Sequence, residues 1–352
     1  MKHSKFISFF VAFILIGWGG HSYAMSFDLD SIAEWGKFPR FAVKTYRWAD
    51  KFFNSYDSTY VVPTGQRFNV KFKMDSWLDT YSFDLVDDVS LRMVSFPSTS
   101  AGFWLSYMAV SVGYDVNLSR WITGEKRTRR RFDFHFNCGL FAAELYYIGN
   151  DVGTHITRFG IKDNSWPVNL DFNGINTRML IFDAYYFLNN RKYSYSAAFT
   201  FGRVQLKSAG SFFAGFSYWY QKYNFDFNRL PYEMKSMLPK EWNYKYAVQA
   251  KNYGLKFGYG YNWVVGRNWV VGISESPTIG VKRGYISVEA NPKWSFSMYN
   301  TLRVSGVWNL RKRWFVGIVG RVETSLIYDK EHTLLNNTAD VDICVGYRFN
   351  LW

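Results

Sequence analysis

Cysteine is nearly absent: Cys138 and Cys344 are the only two in 352 residues. That leaves no disulfide framework of the kind that holds small secreted domains together. The two are not expected to pair with each other. Cys344 falls on the polar face of its segment, whereas Cys138 is in register with the apolar Phe132, Phe134, Phe136 and Leu140, and opposite faces cannot meet, so two free thiols are expected. Histidine is equally sparse, at five, and no His/Cys spacing matches a metal site, so neither metal nor cofactor is expected. After Ala24 no apolar run reaches the roughly 18 residues that a spanning helix needs, and the mean hydropathy is −0.20.

Aromatic residues are abundant instead, at 21% of the chain, and the formal net charge is +14. A soluble domain has little use for so many rings. Membrane barrels place them on an outward apolar band and on girdles at the two interfaces. The N-terminus carries an export signal: basic Lys2 and Lys5, an apolar stretch from Phe6 to Trp18, and the small residues Ser22 and Ala24 at the positions a signal peptidase reads. Cleavage is expected after Ala24. An exported, ring-rich chain without spanning helices can enter a membrane only as a closed barrel, because hydrocarbon tolerates no unpaired backbone groups.

The closing stretch TADVDICVGYRFNLW bears this out in pattern. Val341, Ile343, Val345, Tyr347, Phe349 and Leu351 are apolar, and Asp340, Asp342, Cys344, Gly346, Arg348 and Asn350 between them are small or polar. Strict period two predicts a strand with one greasy and one wet face. The same alternation predicts strands over Trp104 to Leu118, with the even positions from Trp104 outward, and over Tyr193 to Phe201, Phe212 to Tyr220, Asn252 to Val264 and Trp314 to Tyr328. Glycines 254, 258 and 260 on the inner face suit a narrow, curved wall. Runs that alternate for ten or more residues exceed the usual sandwich strand and match a tilted membrane crossing. Short turns at Gly266-Arg267-Asn268 and Arg311-Lys312-Arg313 alternate with longer segments at Gln221 to Lys245, Lys282 to Lys293 and Asp329 to Asn337, as tight periplasmic turns alternate with outside loops. The expected fold is all-β, a transmembrane antiparallel up-and-down β-barrel of about 12 strands. It divides into a signal peptide (1–24), a short N-terminal periplasmic segment (25–65) with a possible helix over Arg40 to Phe53, and the barrel (66–352).

The signal peptide, the lead-in YDSTYVVPTG, the segment KSAGSFFAGFSYWY, the glycine-aromatic NYGLKFGYGYNW and the terminal Trp352 together resemble a family of Bacteroidota outer-membrane barrels catalogued as a domain of unknown function. The resemblance implies location and fold and carries no activity. Trp352 is one residue out of step with the outward Leu351 and Phe349, which departs from the terminal assembly signal usual in such barrels.

The expected functional surface is the inner face. Lys256, Arg303, Arg321, Glu323, Asp340, Asp342 and Arg348 all take polar-face positions in the last strands, where opposite charges either pair across a narrow lumen or line a water-filled pore. His135, on the face of Asp133 and Asn137, is the one candidate general base for a lipid-modifying enzyme, but no nucleophile can be assigned beside it and no catalytic residue is expected. His155 and His332 read as loop or rim residues. The run Lys126-Arg127-Thr128-Arg129-Arg130-Arg131 reads as a solvated turn, or as a clamp for lipopolysaccharide phosphates. The readings in order are a narrow or gated channel or transport accessory, a structural barrel binding a surface or periplasmic partner through Gln221 to Lys245, Ile148 to Ile175 and the N-terminal segment, and an enzyme using His135. Outer-membrane lipids, lipopolysaccharide and the barrel-assembly machinery are the expected partners, with a small solute or a protein beside them. Nucleic acid is a poor partner for an exported barrel despite the pI near 9.5.

Overall fold

The computed structural model describes residues 55–84, 89–119, 129–161, 165–238, 245–285, 293–310, 313–328 and 333–350, with scattered positions between 34 and 53. The expected signal peptide with its Ala24 junction, His332, Lys126 to Thr128 and Trp352 lie outside the described residues. The chain divides into two units, residues 1–48 with 351–352, and residues 49–350. In the first, the described Arg40, Phe41, Val43, Lys44, Thr45 and Trp48 are helical. Among the described residues no helix is long and apolar enough to cross a membrane.

The second unit is built of strands: β1 (Val61–Pro63), β2 (Phe68–Asp84), β3 (Val89–Ser95), β4 (Ser98–Tyr107), β5 (Val110–Asn117), β6 (Arg129–Asn137), β7 (Phe141–Asn150), β8 (Thr154–Ile161), β9 (Trp166–Phe172), β10 (Ile175–Phe187), β11 (Arg203–Gln205), β12 (Ala209–Asp226), β13 (Lys245–Val265), β14 (Trp269–Tyr285), β15 (Lys293–Leu310), β16 (Trp314–Tyr328) and β17 (Thr333–Phe349). Twelve of them, β2, β4, β5, β6, β7, β10 and β12 to β17, form one antiparallel ring. β17 pairs with β2 from Phe349↔Phe68 to Thr333↔Asp84, which closes the barrel. Closure leaves the ring of strands without a free lateral edge, as a wall in hydrocarbon requires. The end where β2 starts and β17 finishes is called here the terminal end, and the opposite one the loop end.

Side chains divide by parity as the alternation requires. Along β13, Tyr253, Leu255, Phe257, Tyr259 and Trp263 face outward and are exposed, while Asn252, Lys256 and Asn262 are buried inside. β17 does the same with Val341, Ile343 and Val345 outside and Asp340, Cys344 and Arg348 inside. A continuous outward belt of exposed rings and aliphatics has one physical use, contact with lipid.

Two expectations about strands fail. Trp104 to Leu118 is not one strand but β4 and β5, joined through Met108 and Ala109, with Tyr107 paired to Val110. Met108 takes a left-handed φ of 52° there. A two-residue turn moves the outward set from odd to even positions, so Trp104 faces inward and is buried. Tyr193 to Phe201 is not a wall strand either. Residues 188–208 between β10 and β12 fold into the barrel, with Ser196–Thr200 as a buried π-helical turn. Cys138 also departs from its expected place on the outward face of β6. It is buried in the turn to β7, where its Sγ–H donates to the Phe141 carbonyl at 3.1 Å. Both cysteines are free.

Both ends of the barrel are filled. At the loop end, β2 forks: Thr80–Asp84 pair with β3 while Phe68–Trp77 pair with β4, and β3, β8 and β9 make a small sheet that stands above the shorter strands β4 to β6. Inward-facing Tyr81, Phe83, Tyr223 and Phe225 pack there against Ile156, Phe159 and Phe172 of this sheet, and Phe227, Leu230, Met234 and Leu238 fold in from the loop after β12. The loops expected as partner-binding surfaces therefore spend much of their apolar content on this cap. At the terminal end, Tyr193, Tyr195, Ala198 and Phe199 of the inserted segment pack on Tyr185, Phe187 and Phe213, and Phe201 packs on Phe315 and Cys344.

Candidate functional site

Between cap and plug lies a band of charge. Each inward position of a wall strand is followed two residues later by another, so β2 delivers Lys71, Lys73 and Asp75 in a column and β6 delivers Arg131, Asp133 and His135. Burial of so many ions is tolerable only where each finds a counter-charge or hydrogen bonds, and most do. Lys73 Nζ lies 2.7 Å from Asp115 and 3.4 Å from Asp342. Arg131 Nε donates to Asp133 at 2.8 Å, Arg321 Nε to Asp340 at 2.8 Å, and Lys256 Nζ to Asp183 at 2.6 Å. Glu323 stands 3.6 Å from Arg321.

Glu144 is the hub of the band. Its carboxylate accepts from Arg303 Nη2 at 2.8 Å, Tyr146 Oη at 2.6 Å and Tyr195 Oη at 2.7 Å, and Arg303 Nη1 also donates to Tyr195. Tyr195 belongs to the inserted segment, so this cluster ties plug to wall.

A second tie lies closer to the terminal end. Arg348 donates through Nε (3.2 Å) and Nη2 (2.9 Å) to the carbonyl of Phe201, and through Nη2 to Asn309 Oδ1 at 2.9 Å. Its guanidinium lies 4.4 Å from the Phe315 ring centroid. Phe201 caps the π-helical turn with φ 64°, a left-handed conformation that a bulky residue holds only when its surroundings impose it. Wall glycines make the bed for the plug. A Cβ at Gly272 would lie 2.6 Å from the Ala198 Cβ, and one at Gly317 2.6 Å from Phe201 Cζ. From below, β1 of the lead-in pairs with β11 of the plug, Val62 opposite Val204. Arg203 lies 4.8 Å over the ring of Tyr56, whose phenol is pushed up by burial.

The structure places the side chains of Lys256, Arg303, Arg321, Glu323, Asp340 and Arg348 buried in the interior, with Asp342 partly exposed there beside Lys73. Lys256 belongs to a neighbouring cluster with Asp183, Ser217 and Tyr185, linked to Glu144 through Tyr185 Oη at 3.4 Å. Lys71, Lys73, Asp115, Arg129, Arg131, Glu144 and Asp183 are interior charges that the sequence reading passed over, whereas Asp133 lies inside on the face of His135 as expected. The signal for the β2 and β6 groups was present, since Lys71, Lys73 and Asp75 alternate with Phe72 and Met74 as cleanly as any pair in β17. Arg129 and Arg131 correct the reading of the basic run: both are buried and face inward, Arg129 3.5 Å from Asp75, so neither belongs to a solvated turn or a surface phosphate clamp. His135 is buried edge-on between Trp104 (4.9 Å) and Tyr146 (5.3 Å). Its ring nitrogens have no hydrogen-bond partner, a hydroxyl included. His155 bonds to Asp171 at 2.9 Å on the β8–β9 hairpin.

A cavity of about 60 Å³ runs through the centre of the charged band. A second, of about 30 Å³, lies at the terminal end between the plug and the β2–β6 side of the wall. Phe201 borders both.

Solved structures with a similar arrangement include three outer-membrane barrels. The outer membrane protease OmpT from Escherichia coli is 8% identical, with 82% of this chain and 98% of that one covered and a TM-score of 0.39. The translocator domain of the autotransporter NalP from Neisseria meningitidis is 8% identical over 91% and 98%, at 0.35. An outer membrane channel from Pseudomonas putida F1 is 9% identical over 82% and 98%, at 0.32. At such identities the likeness is one of fold alone. No curated protein matches the chain. Residues 55–349 match the family described as Domain of unknown function (DUF4421), and the chain belongs to that family.

Proposed function

We propose that the protein is a gated channel of a bacterial outer membrane, of the Bacteroidota kind, held closed by its own residues 188–208. On this reading the chain is exported by a signal peptide cleaved after Ala24, inserted by the barrel-assembly machinery, and oriented with the terminal end in the periplasm and the loop end among lipopolysaccharide. The observation that carries it is the construction of the terminal closure. A single excursion of the chain fills that end, and it is docked on wall glycines and tied by the Glu144–Arg303–Tyr195 cluster and the Arg348 clamp on Phe201. A barrel needing only stability would cross from β10 to β12 by a turn as short as the Met108-Ala109 one. Behind the plug, Lys73, Arg303, Arg321, Asp340 and Asp342 supply the charges that would set ion preference.

The competing reading, a structural or interaction barrel, draws on the completeness of the internal ion pairs. Replacing residues 190–206 with an Asn-Gly turn and measuring planar-bilayer conductance separates the two. Discrete steps from the shortened protein and rare ones from the full chain support the channel. A folded, heat-modifiable, silent shortened barrel refutes it in favour of the structural role.

A further inference from the structure

One cation that lines the central cavity has no carboxylate beside it. Among its lining residues Lys73, Arg131, Arg303 and Arg321 each have a carboxylate in contact. Lys71, also lining it and 6% exposed, has no carboxylate within ion-pair distance among the described residues. Its ammonium lies instead 4.5 Å from the centroid of Trp104 and 5.2 Å from that of Phe201. Ring faces attract a cation but satisfy none of its three N–H donors. His135 packs against the same indole; its Nδ1 faces Glu144 Oε1 at 3.7 Å, too far for a hydrogen bond, and neither ring nitrogen has a hydrogen-bond partner although the residue is 7% exposed. Whichever tautomer it takes, one of them is an N–H donor.

Two buried residues whose donors make no protein hydrogen bond thus flank one tryptophan on the wall of one cavity. Unmet groups of this kind are costly in a low-dielectric interior, and an acceptor that reaches both recovers the cost. The lining carries five cations against Glu144, Asp340 and Asp342. Asp75, Asp115 and Asp133 stand behind it, in contact with Lys73, Arg129 or Arg131. With Glu323 beside Arg321 and Arg129 beside Asp75 included, carboxylates match the cations of the band as a whole, so the unmet positive charge is a local one, at Lys71. About 60 Å³ gives room for roughly four waters, or for one anion of four or five heavy atoms.

We propose that this cavity is a binding site for a single small oxyanion, a carboxylate or a phosphate, held by Lys71 and His135 against Trp104. The inference rests on the channel reading in one respect, that solute reaches the cavity from the terminal end. The terminal crevice supplies the approach. It is lined by Asn69, Ser106, Ser111, Asn137 and Thr200, and the side-chain amides of Asn69 and Asn137 have no protein partners. Phe201, which borders both spaces, is the gate between them.

The test is isothermal titration of the full-length mature protein in detergent with sodium acetate and, separately, inorganic phosphate, at fixed chloride and ionic strength. Saturable binding of one equivalent is expected for at least one probe, and which one binds assigns the class as carboxylate or phosphate. Lys71→Met is expected to weaken it at least about tenfold, the worth of one hydrogen bond from a charged donor, and Lys71→Arg to keep most of it. The exposed Lys251→Gln leaves it unchanged, and Phe201→Ala speeds association. Heat-modifiability on gels certifies each variant as folded. Absence of saturable binding to folded wild type, or binding indifferent to both Lys71→Met and His135→Gln, overturns the proposal. Conductance of the plug-shortened protein without oxyanion binding sinks this inference alone, and binding by a barrel that never conducts sinks the channel reading alone.

Discussion

Replacing Arg348 with Met should release the plug while leaving the barrel folded. Methionine keeps most of the apolar volume over Phe315 but removes every donor. The carbonyl of Phe201 then loses both of its bonds from the guanidinium and stays buried in the docked state without a partner. An unsatisfied buried acceptor costs about 1–3 kcal/mol, and the cost falls on the docked state only, because an undocked plug offers that carbonyl to water. The ratio of docked to undocked plug should therefore drop by roughly 5- to 150-fold. The left-handed φ of Phe201 works in the same direction, since a strained residue relaxes once its clamp is gone. Single-channel recording should show a higher open probability, and amide exchange across 193–205 should accelerate by a similar factor, with the exchange of β13 to β16 unchanged. Arg348→Lys, with a shorter reach and no fork, should fall between the two. A folded Arg348→Met protein whose 193–205 amides exchange as in wild type, and whose conductance is unaltered, would refute the clamp.

Three further outcomes follow from the same geometry. Glu144→Gln strips the counter-charge from buried Arg303 and should cost about 3–5 kcal/mol of stability, seen as a lower urea midpoint; adding Arg303→Met should recover much of it, and additive effects would argue against the pair. Gly317→Leu puts a side chain where Phe201 Cζ now stands and should make the channel leak without lowering the thermal midpoint of the wall strands; a tight, silent variant would mean the plug does not rest there. Val62→Cys with Val204→Cys joins directly opposed residues of β1 and β11, within the Cα separation a disulfide spans. Oxidation should then abolish openings and dithiothreitol restore them, and an oxidised pair that still conducts would mean the lead-in does not restrain the plug.

The wall was legible because each of its strands repeats one physical rule. Lipid on one side and a packed, polar interior on the other impose period two, and where the rule runs unbroken, as from Trp314 to Tyr328, the expected and observed strand coincide. Turns are where it misleads. The alternation that runs back from Val116 through Val110 continues across Met108-Ala109 as if nothing happened, and so assigns Trp104 to the wrong face. Only pairing shows the change of parity, together with the absence of a side chain at Gly113 that leaves room for the indole.

The plug was illegible for a different reason. From Tyr193 to Phe201 the rings alternate with Ser194, Ser196, Ala198 and Thr200, residues small enough to suit a wall strand's inner face. Nothing local distinguishes a segment that crosses lipid from one that turns inward. The information sits on other strands, in Gly260, Gly272 and Gly317, which leave space against Tyr193, Ala198 and Phe201, and in Arg303 and Arg348, which each meet a group of the plug. Gly260 reads from sequence as an aid to curvature, and those arginines as lumen charges awaiting partners on the wall. Both roles are local, whereas the one they share depends on contacts across 67 to 147 positions of sequence: a π-helical turn packed onto wall glycines, its carbonyl capped by an arginine, finds its protein partners only while it is docked. Undocking would expose to water the groups that the wall now supplies with partners, and on the proposed channel reading that exchange of partners is what lets the plug open.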